Sequence, residues 1–178
     1  MTERATAKPF EIGLLQSDQL DAYKALRDAM LDAHPDAYTS DAETERQKSA
    51  ADYRVRLGSA VAEGGHFTLA AWDADAMIGA ISVERDLRPK VRHIAHVVGM
   101  MVLPSAQGCG VGRALLQACM HRARLAHGLE MLTLSVTASN HRAVALYEHH
   151  GFVRFGTLPC ALKLGDRNLD KHHMACTL

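Results

Sequence analysis

Apolar residues recur along the chain at spacings that separate strands from helices. Phe10-Glu11-Ile12-Gly13-Leu14-Leu15 opens as a strand. Ser17-Asp18-Gln19 then supplies helix-starting chemistry, and Leu20, Tyr23, Leu26 and Met30 follow at the helical repeat until His34-Pro35 stops it. The stretch Ser40 to Leu57 is polar and helix-prone, with Tyr53, Val55 and Leu57 as its larger apolar anchors, and predicts a surface helix. Phe67–Trp72 and Met77–Val83 flank the polar link Asp73 to Ala76, which predicts an antiparallel hairpin. Between Ile94 and Leu103 the residues Val97, Val98, Met100, Met101, Val102 and Leu103 form a nearly unbroken apolar run, the mark of a central strand covered on both faces. Pro104 ends it. From Gly110 to about Ala126 the positions Val111, Leu115 and Ala118 share one side of an amphipathic helix. Met131–Val136 reads as another buried strand, and Asn140–His150 as a helix stopped by Gly151 at the usual C-terminal cap. Phe152–Phe155 and Lys171–Leu178 close the chain as two strands.

The chain has 178 residues and a mass of 19.4 kDa, which fits one domain and not two. Hydrophobic residues make up 48% and charged ones 22%, enough for a core and unlike a disordered chain. Twenty Lys and Arg balance 20 Asp and Glu, so the basic excess of a nucleic-acid binder is missing. No apolar run reaches the roughly 18 residues of a membrane helix, and the polar tail 1–9 has no signal-peptide core, so the expected setting is the cytosol, away from membranes. Cys109, Cys119, Cys160 and Cys176 are widely spaced with no C-x-x-C pair, and are expected as free thiols. Among 11 histidines the adjacent pairs His149-His150 and His172-His173 point in different directions, which disfavours a metal site.

The most informative segment is Val102-Leu103-Pro104-Ser105-Ala106-Gln107-Gly108-Cys109-Gly110-Val111-Gly112-Arg113, where a buried strand turns through glycines directly into a helix. Such a turn presents unpaired N–H groups and the positive helix end to a phosphate, and three alternating glycines have a conformational cost that a plain connection need not incur. A P-loop needs Gly-Lys, which occurs nowhere in the chain. A dinucleotide fingerprint needs a third glycine at 113 or 115, where Arg113 and Leu115 stand.

Gln107-x-x-Gly110-x-Gly112 resembles the pyrophosphate-binding motif of the GNAT superfamily of acyl-CoA N-acyltransferases. Leu134-Ser135-Val136-Thr137-Ala138-Ser139-Asn140-x-x-Ala143-x-x-Leu146-Tyr147-x-x-x-Gly151-Phe152 resembles that superfamily's second block, in the same order and at the same distance. The upstream order of strand, two helices, hairpin and central strand is similar too. The resemblance implies an α/β (α+β) fold spanning 10–178, with a mixed central sheet of about six or seven strands flanked by about four helices. It also implies an N-acetyltransferase that moves the acetyl group of acetyl-CoA directly onto a primary amine of a small molecule or protein, without a metal; a homodimer is compatible with it. Independently, Asn140, Ala143 and Tyr147 lie at i, i+3 and i+7 on one helix face, where one ligand could touch all three. The same spacing suits Asn140 as a helix cap with Ala143 and Tyr147 in the core.

By resemblance, the backbone of Met100, Met101 and Val102 pairs with the pantetheine arm as an added strand. Gln107, Gly108, Cys109, Gly110, Val111, Gly112 and Arg113 hold the pyrophosphate, with Asn140 and Ala143 beside the pantetheine. Tyr147 protonates the departing thiolate, and an N–H of the 100–102 segment stabilises the oxyanion. The pattern departs at the base: where one branch carries Glu five residues before the Asn, this chain has Ser135, and where another carries Glu six residues before the Val102 position, it has His96. His96 is the candidate base, with Glu84 and His93 as further candidates. Against these stand an ordinary strand histidine and solvated strand ends. Asp36, Asp41, Glu43 and Glu45 lie in the acceptor-side region, suited either to attracting a cationic amine or to a solvated helix face. A non-catalytic CoA-binding regulatory module on the same fold is the alternative function.

Overall fold

The computed structural model describes residues 10–58 and 64–178, so the tail predicted at 1–9 lies outside the described residues. Seven strands, β1 (Glu11–Leu14), β2 (Phe67–Asp73), β3 (Ala76–Arg85), β4 (Ile94–Val102), β5 (Met131–Thr137), β6 (Val153–Leu164) and β7 (Arg167–Thr177), form one mixed sheet in the order β1-β2-β3-β4-β5-β7-β6. β4 is the fourth of the seven, which is why its run is apolar on both faces. All neighbours are antiparallel except β4 and β5.

Among the described residues there are four α-helices, α1 (Leu20–Ala33), α2 (Ala42–Arg46), α3 (Val111–Arg124) and α4 (His141–His149). Leu20, Tyr23, Leu26 and Met30 of α1 pack with Tyr53, Ala80 and Met101 on one face. Val111, Leu115, Leu116 and Cys119 of α3 and Tyr147 of α4 pack with Ile81, Val83, Ala95, Val97, Leu132 and Leu134 on the other. Among the described residues no helix is long and apolar enough to cross a membrane.

Two predicted elements are corrected. Ser40–Leu57 is not one surface helix but α2 followed by a 3-10 segment Ala50–Arg56. Ser49 starts the second piece with its own capping box to Asp52, and Glu45 and Tyr53 are buried. The closing strands are much longer than predicted because they form a hairpin around Gly165, whose φ of +58° suits glycine. A register shift between Leu158 and Leu162, with Cys160 at φ +52°, hides β6's regular pairing from an alternation test.

Two features of β4 create the site. Ala80 pairs with Met101 but Ser82 pairs with Val98, so β4 carries one extra residue there, a bulge at Gly99 with φ +59°. The bulge inverts the alternation: Val97 packs under α3 while Met101 packs under α1. Beyond it, β4 and β5 part. Their parallel pairing covers only Ile94–His96 against Met131–Thr133, leaving one edge of β4 facing a gap.

Candidate active site

On the β3 side of β4, Met101 pairs with Ala80 and the Leu103 N–H donates to the Ile78 carbonyl at 2.9 Å. Strand alternation therefore aims the N–H and C=O of Met100 and Val102 into the gap and those of Met101 away from it. Both gap-facing carbonyls are taken by side chains: the Tyr38 hydroxyl donates to Met100 O at 3.2 Å, and Gln107 Nε2 donates to Val102 O at 3.2 Å. Met100 and Val102 keep their N–H groups for a ligand laid along the edge.

The gap opens into a cleft of about 850 Å³ bordered by this edge, the glycine turn, the start of α4 and the segment that follows α1. Gly108 and Gly110 both have φ +85°, and Gly110 is the N-cap of α3. A Cβ at either would meet nothing within 4 Å, so the backbone conformation, not crowding, calls for glycine there. At Gly112 a Cβ would make ordinary contacts, 3.4 Å from Met100 Cε and 3.7 Å from Val102 Cγ2, so this turn of the helix packs directly on the cleft-facing side chains of β4. Gln107 ties the walls together, its Oε1 accepting from Arg142 Nη1 at 3.1 Å while its Nε2 also lies 3.4 Å from His34 Nε2. The guanidinium groups of Arg113 and Arg142 give the cleft rim positive charge suited to phosphates. Gln107, Gly108, Gly110, Val111, Gly112, Arg113, Asn140 and Ala143 all border this cleft with Met100 and Val102; Cys109 is exposed outside its lining.

Asn140 is the N-cap of α4, its Oδ1 accepting from the Ala143 N–H at 3.1 Å, so helix capping and a place on the cleft coexist. Tyr147 is buried behind the lining, edge-on to Phe152 with centroids 5.8 Å apart. Burial, with Tyr38 and Cys119 adding, pushes its hydroxyl well above the ordinary tyrosine range, so it holds its proton.

The candidate bases lie elsewhere. His96 is exposed at the paired root of the gap, its Nδ1 hydrogen-bonded to Thr133 Oγ1 on β5. Glu84, cross-strand from His96, is ion-paired with Arg56. His93 borders a separate small cavity of about 200 Å³ with Arg85, His127 and Glu130. None of the three lines the main cleft. The acidic group divides likewise: Asp41 caps α2, and Glu45 is 4% exposed and bound to Arg27, while Asp36 borders the cleft. Among the described residues no three His, Cys, Asp or Glu converge as metal ligands.

The segment 34–40 forms a strap across the gap; the sequence reading put its Asp36 on the acceptor side but missed Tyr38 and the contacts that pin the strap. Thr137 Oγ1 donates to Asp36 O at 2.7 Å, Lys171 Nζ to Thr39 Oγ1 at 2.5 Å, and Arg27 Nη2 to Ser40 Oγ at 2.9 Å. An aromatic in the polar run Ala37-Tyr38-Thr39-Ser40 was the sole signal of it.

A seven-stranded sheet with parted parallel strands and a basic glycine turn at the gap defines a class that the comparisons identify. The acetyltransferase (GNAT) family matches residues 23–152, and the chain belongs to it. Its relatives include mycothiol acetyltransferases: that of Salinispora tropica is 33% identical over 135 residues, covering 76% of this chain and 41% of that protein. The Propionibacterium freudenreichii protein of the same name is 34% identical over 138 residues, covering 77% and 41%. The chain thus spans about two fifths of the length of the curated relatives it matches. An acetyltransferase of the GNAT family from Streptococcus pneumoniae shares the fold with a TM-score of 0.85 at 22% identity, over 96% of this chain and 99% of that one. The yncA protein of Salmonella typhimurium, solved with its cofactor acetyl-CoA, follows at 0.75 and 19%, over 96% and 94%.

Proposed function

We propose that the protein is an acetyl-CoA-dependent N-acetyltransferase acting on a primary amine, and that the amine belongs to a small molecule, as the name of its mycothiol acetyltransferase relatives suggests. The observation that carries this reading is the free edge of β4. Two N–H groups that face a gap, in line with an open glycine turn at a helix N-terminus, suit a ligand with an amide-bearing arm and a pyrophosphate. The Gly108–Arg113 amides with Arg113 and Arg142 would receive the pyrophosphate, and Met100 and Val102 the arm. With the thioester carbonyl beside Met100, the amine attacks directly and the Met100 N–H hydrogen-bonds the oxygen as it gains charge. Tyr147, kept protonated by burial, gives its proton to the departing sulfur.

Calorimetry with acetyl-CoA, CoA, NAD and ATP, followed by thiol detection over a panel of amines, tests the reading. Acetyl-CoA and CoA should bind, NAD and ATP should not, and CoA should be released only with an amine. Absence of acetyl-CoA binding would overturn it. Tyr147→Phe should slow single-turnover transfer by about 10²–10⁴-fold with little change in acetyl-CoA affinity.

Binding without turnover would favour a CoA-binding regulatory module, a reading supported by one observation: His96, Glu84 and His93 all lie off the cleft. His96 remains our candidate base, through water, because its strand position faces away from α3 toward the side opposite the glycine turn. His96→Ala should then slow transfer with little change in acetyl-CoA affinity.

A further inference from the structure

Tyr38 has no counterpart in the motifs that define the site, yet its hydroxyl reaches the free edge of β4 at the residue whose N–H would face the thioester. Within a strand, the N–H and C=O of one residue leave on the same edge. The Tyr38 O–H, resting on Met100 O, therefore stands beside the Met100 N–H, and two donors converge on one part of the gap. The strap holds the ring there from both sides, by Thr137 on Asp36 and by Lys171 and Arg27 on Thr39 and Ser40. The hydroxyl itself is loosely held: 3.2 Å is long for an O–H donor, and Met100 O is its one recorded partner.

We propose that Tyr38 is a catalytic residue whose hydroxyl moves from Met100 O to the thioester carbonyl oxygen and completes, with the Met100 N–H, a two-donor oxyanion site. The proposal rests on the acetyl-transfer reading. As the amine lone pair forms the C–N bond, the carbonyl π pair moves onto oxygen, where Tyr38 O–H and Met100 N–H hydrogen-bond it without giving up a proton. The tetrahedral carbon then collapses, the C–S pair leaves on sulfur, sulfur takes the Tyr147 proton, and the ammonium proton leaves to the base. This role asks Tyr38 to remain a neutral donor. Its surroundings favour that, since burial, offset in part by the Arg27 charge, pushes its phenol up to about 12. Two phenols would then divide the work, one at oxygen and one at sulfur, and they are near enough that Tyr38 adds to the upward push on Tyr147.

The test needs binding only and no acceptor. Infrared difference spectra of the purified protein with acetyl-CoA carrying ¹³C at the thioester carbonyl should show that band shifted to lower frequency on binding. In Tyr38→Phe, which keeps the Met100 N–H, the shift should shrink by roughly half, while 3,5-difluorotyrosine incorporated at position 38, a stronger donor, should enlarge it. With an acceptor in hand, the Phe variant should lose about 10²-fold in single-turnover rate, the usual cost of one oxyanion donor. Bands that coincide in all three proteins would overturn the role of Tyr38 while leaving acetyl transfer intact. A wild-type protein that binds no labelled acetyl-CoA would overturn both. Should the Phe variant not fold, the fluorinated protein decides alone: a band unmoved from wild type rejects the proposal.

Discussion

The residues Gly108 to Arg113 and the strap 34–40 face each other across one gap, but they are built by different means. The glycine wall is made of backbone, with two left-handed glycines and a helix N-terminus whose N–H groups need no partner side chain. The strap is made of side chains reaching across the fold: Tyr38 to Met100, Thr137 to Asp36 and Lys171 to Thr39 join residues 62, 101 and 132 positions apart. A backbone site follows from a short run of sequence and suits a ligand part that every substrate pair shares. A side-chain site follows from distant residues, each replaceable without altering the fold, and suits the part that differs between substrates. The comparison therefore predicts that damage to the glycine wall appears in acetyl-CoA affinity, damage to Tyr38 in the rate of transfer, and damage to the pins that hold the strap in stability and in acceptor KM.

The largest effect is expected where the strap is anchored. Glu45 accepts from Arg27 Nε at 2.7 Å, Tyr53 OH at 2.7 Å and Lys48 Nζ at 2.5 Å, while Arg27 also holds Ser40. Glu45→Ala leaves a buried guanidinium unpaired and should cost about 3–5 kcal/mol of stability, read by chemical denaturation. Burial alone would raise the Glu45 carboxyl, but the hydrogen bonds from Arg27, Lys48 and Tyr53 outweigh it and hold it at about 2, below its ordinary 4.5. A depressed folded pKa means that this stability is complete above pH 4.5 and is lost as pH falls from there toward 2. The Glu45→Gln variant should lack that part of the acid dependence.

Gly110→Asp sharpens the contrast from the other wall. A side chain at φ +85° costs roughly 1–2 kcal/mol. A carboxylate beside a pyrophosphate adds roughly 1–2 more. The strain lowers the stability of the fold and only the charge opposes binding, so acetyl-CoA affinity by calorimetry should drop about 10-fold. If instead the acceptor KM carried most of the loss, the division between the two walls would be wrong.

The same division explains what could be read from the chain. The glycine turn, the Asn140–His150 helix and the central strand are local patterns, and they stand where their residues indicated, down to Gly151 at φ +88° after α4. The gap depends on where the β4–β5 pairing stops and on the Gly99 bulge, which a continuous apolar run conceals. Glu45 looked like surface charge because nothing nearby in sequence shows that Arg27, 18 positions earlier, buries with it. Tyr38 was silent for the same reason: its partner is 62 residues away.

A smaller effect is expected at Thr137, which is 2% exposed. Thr137→Val keeps the shape and removes the donor to Asp36 O, costing about 1–2 kcal/mol by denaturation. The strap should loosen at one pin, so acceptor KM should rise while the acetyl-CoA dissociation constant stays within about twofold. Equal losses in both would mean that the strap also carries the pantetheine arm.

The smallest effect on stability should come from Lys171→Met, although it removes a pin of the same strap. The Lys171 ammonium is half-buried, and burial lowers its pKa below the ordinary 10.5, so the folded protein bears a small penalty for its charge. The hydrogen bond to Thr39 Oγ1 offsets it, and methionine keeps the apolar stem, so the net change at pH 7 should lie within about 0.5–1 kcal/mol. The sign appears on titration. A depressed folded lysine pKa penalises the fold below that pKa and ceases to do so as pH approaches 10.5, so wild type should gain stability relative to Lys171→Met between neutral and alkaline pH. A flat difference across that range would show that the Thr39 contact, and not the cost of burying the charge, decides what Lys171 contributes. A raised acceptor KM with this near-neutral stability would mark the pin as shaping the site independently of the stability of the fold.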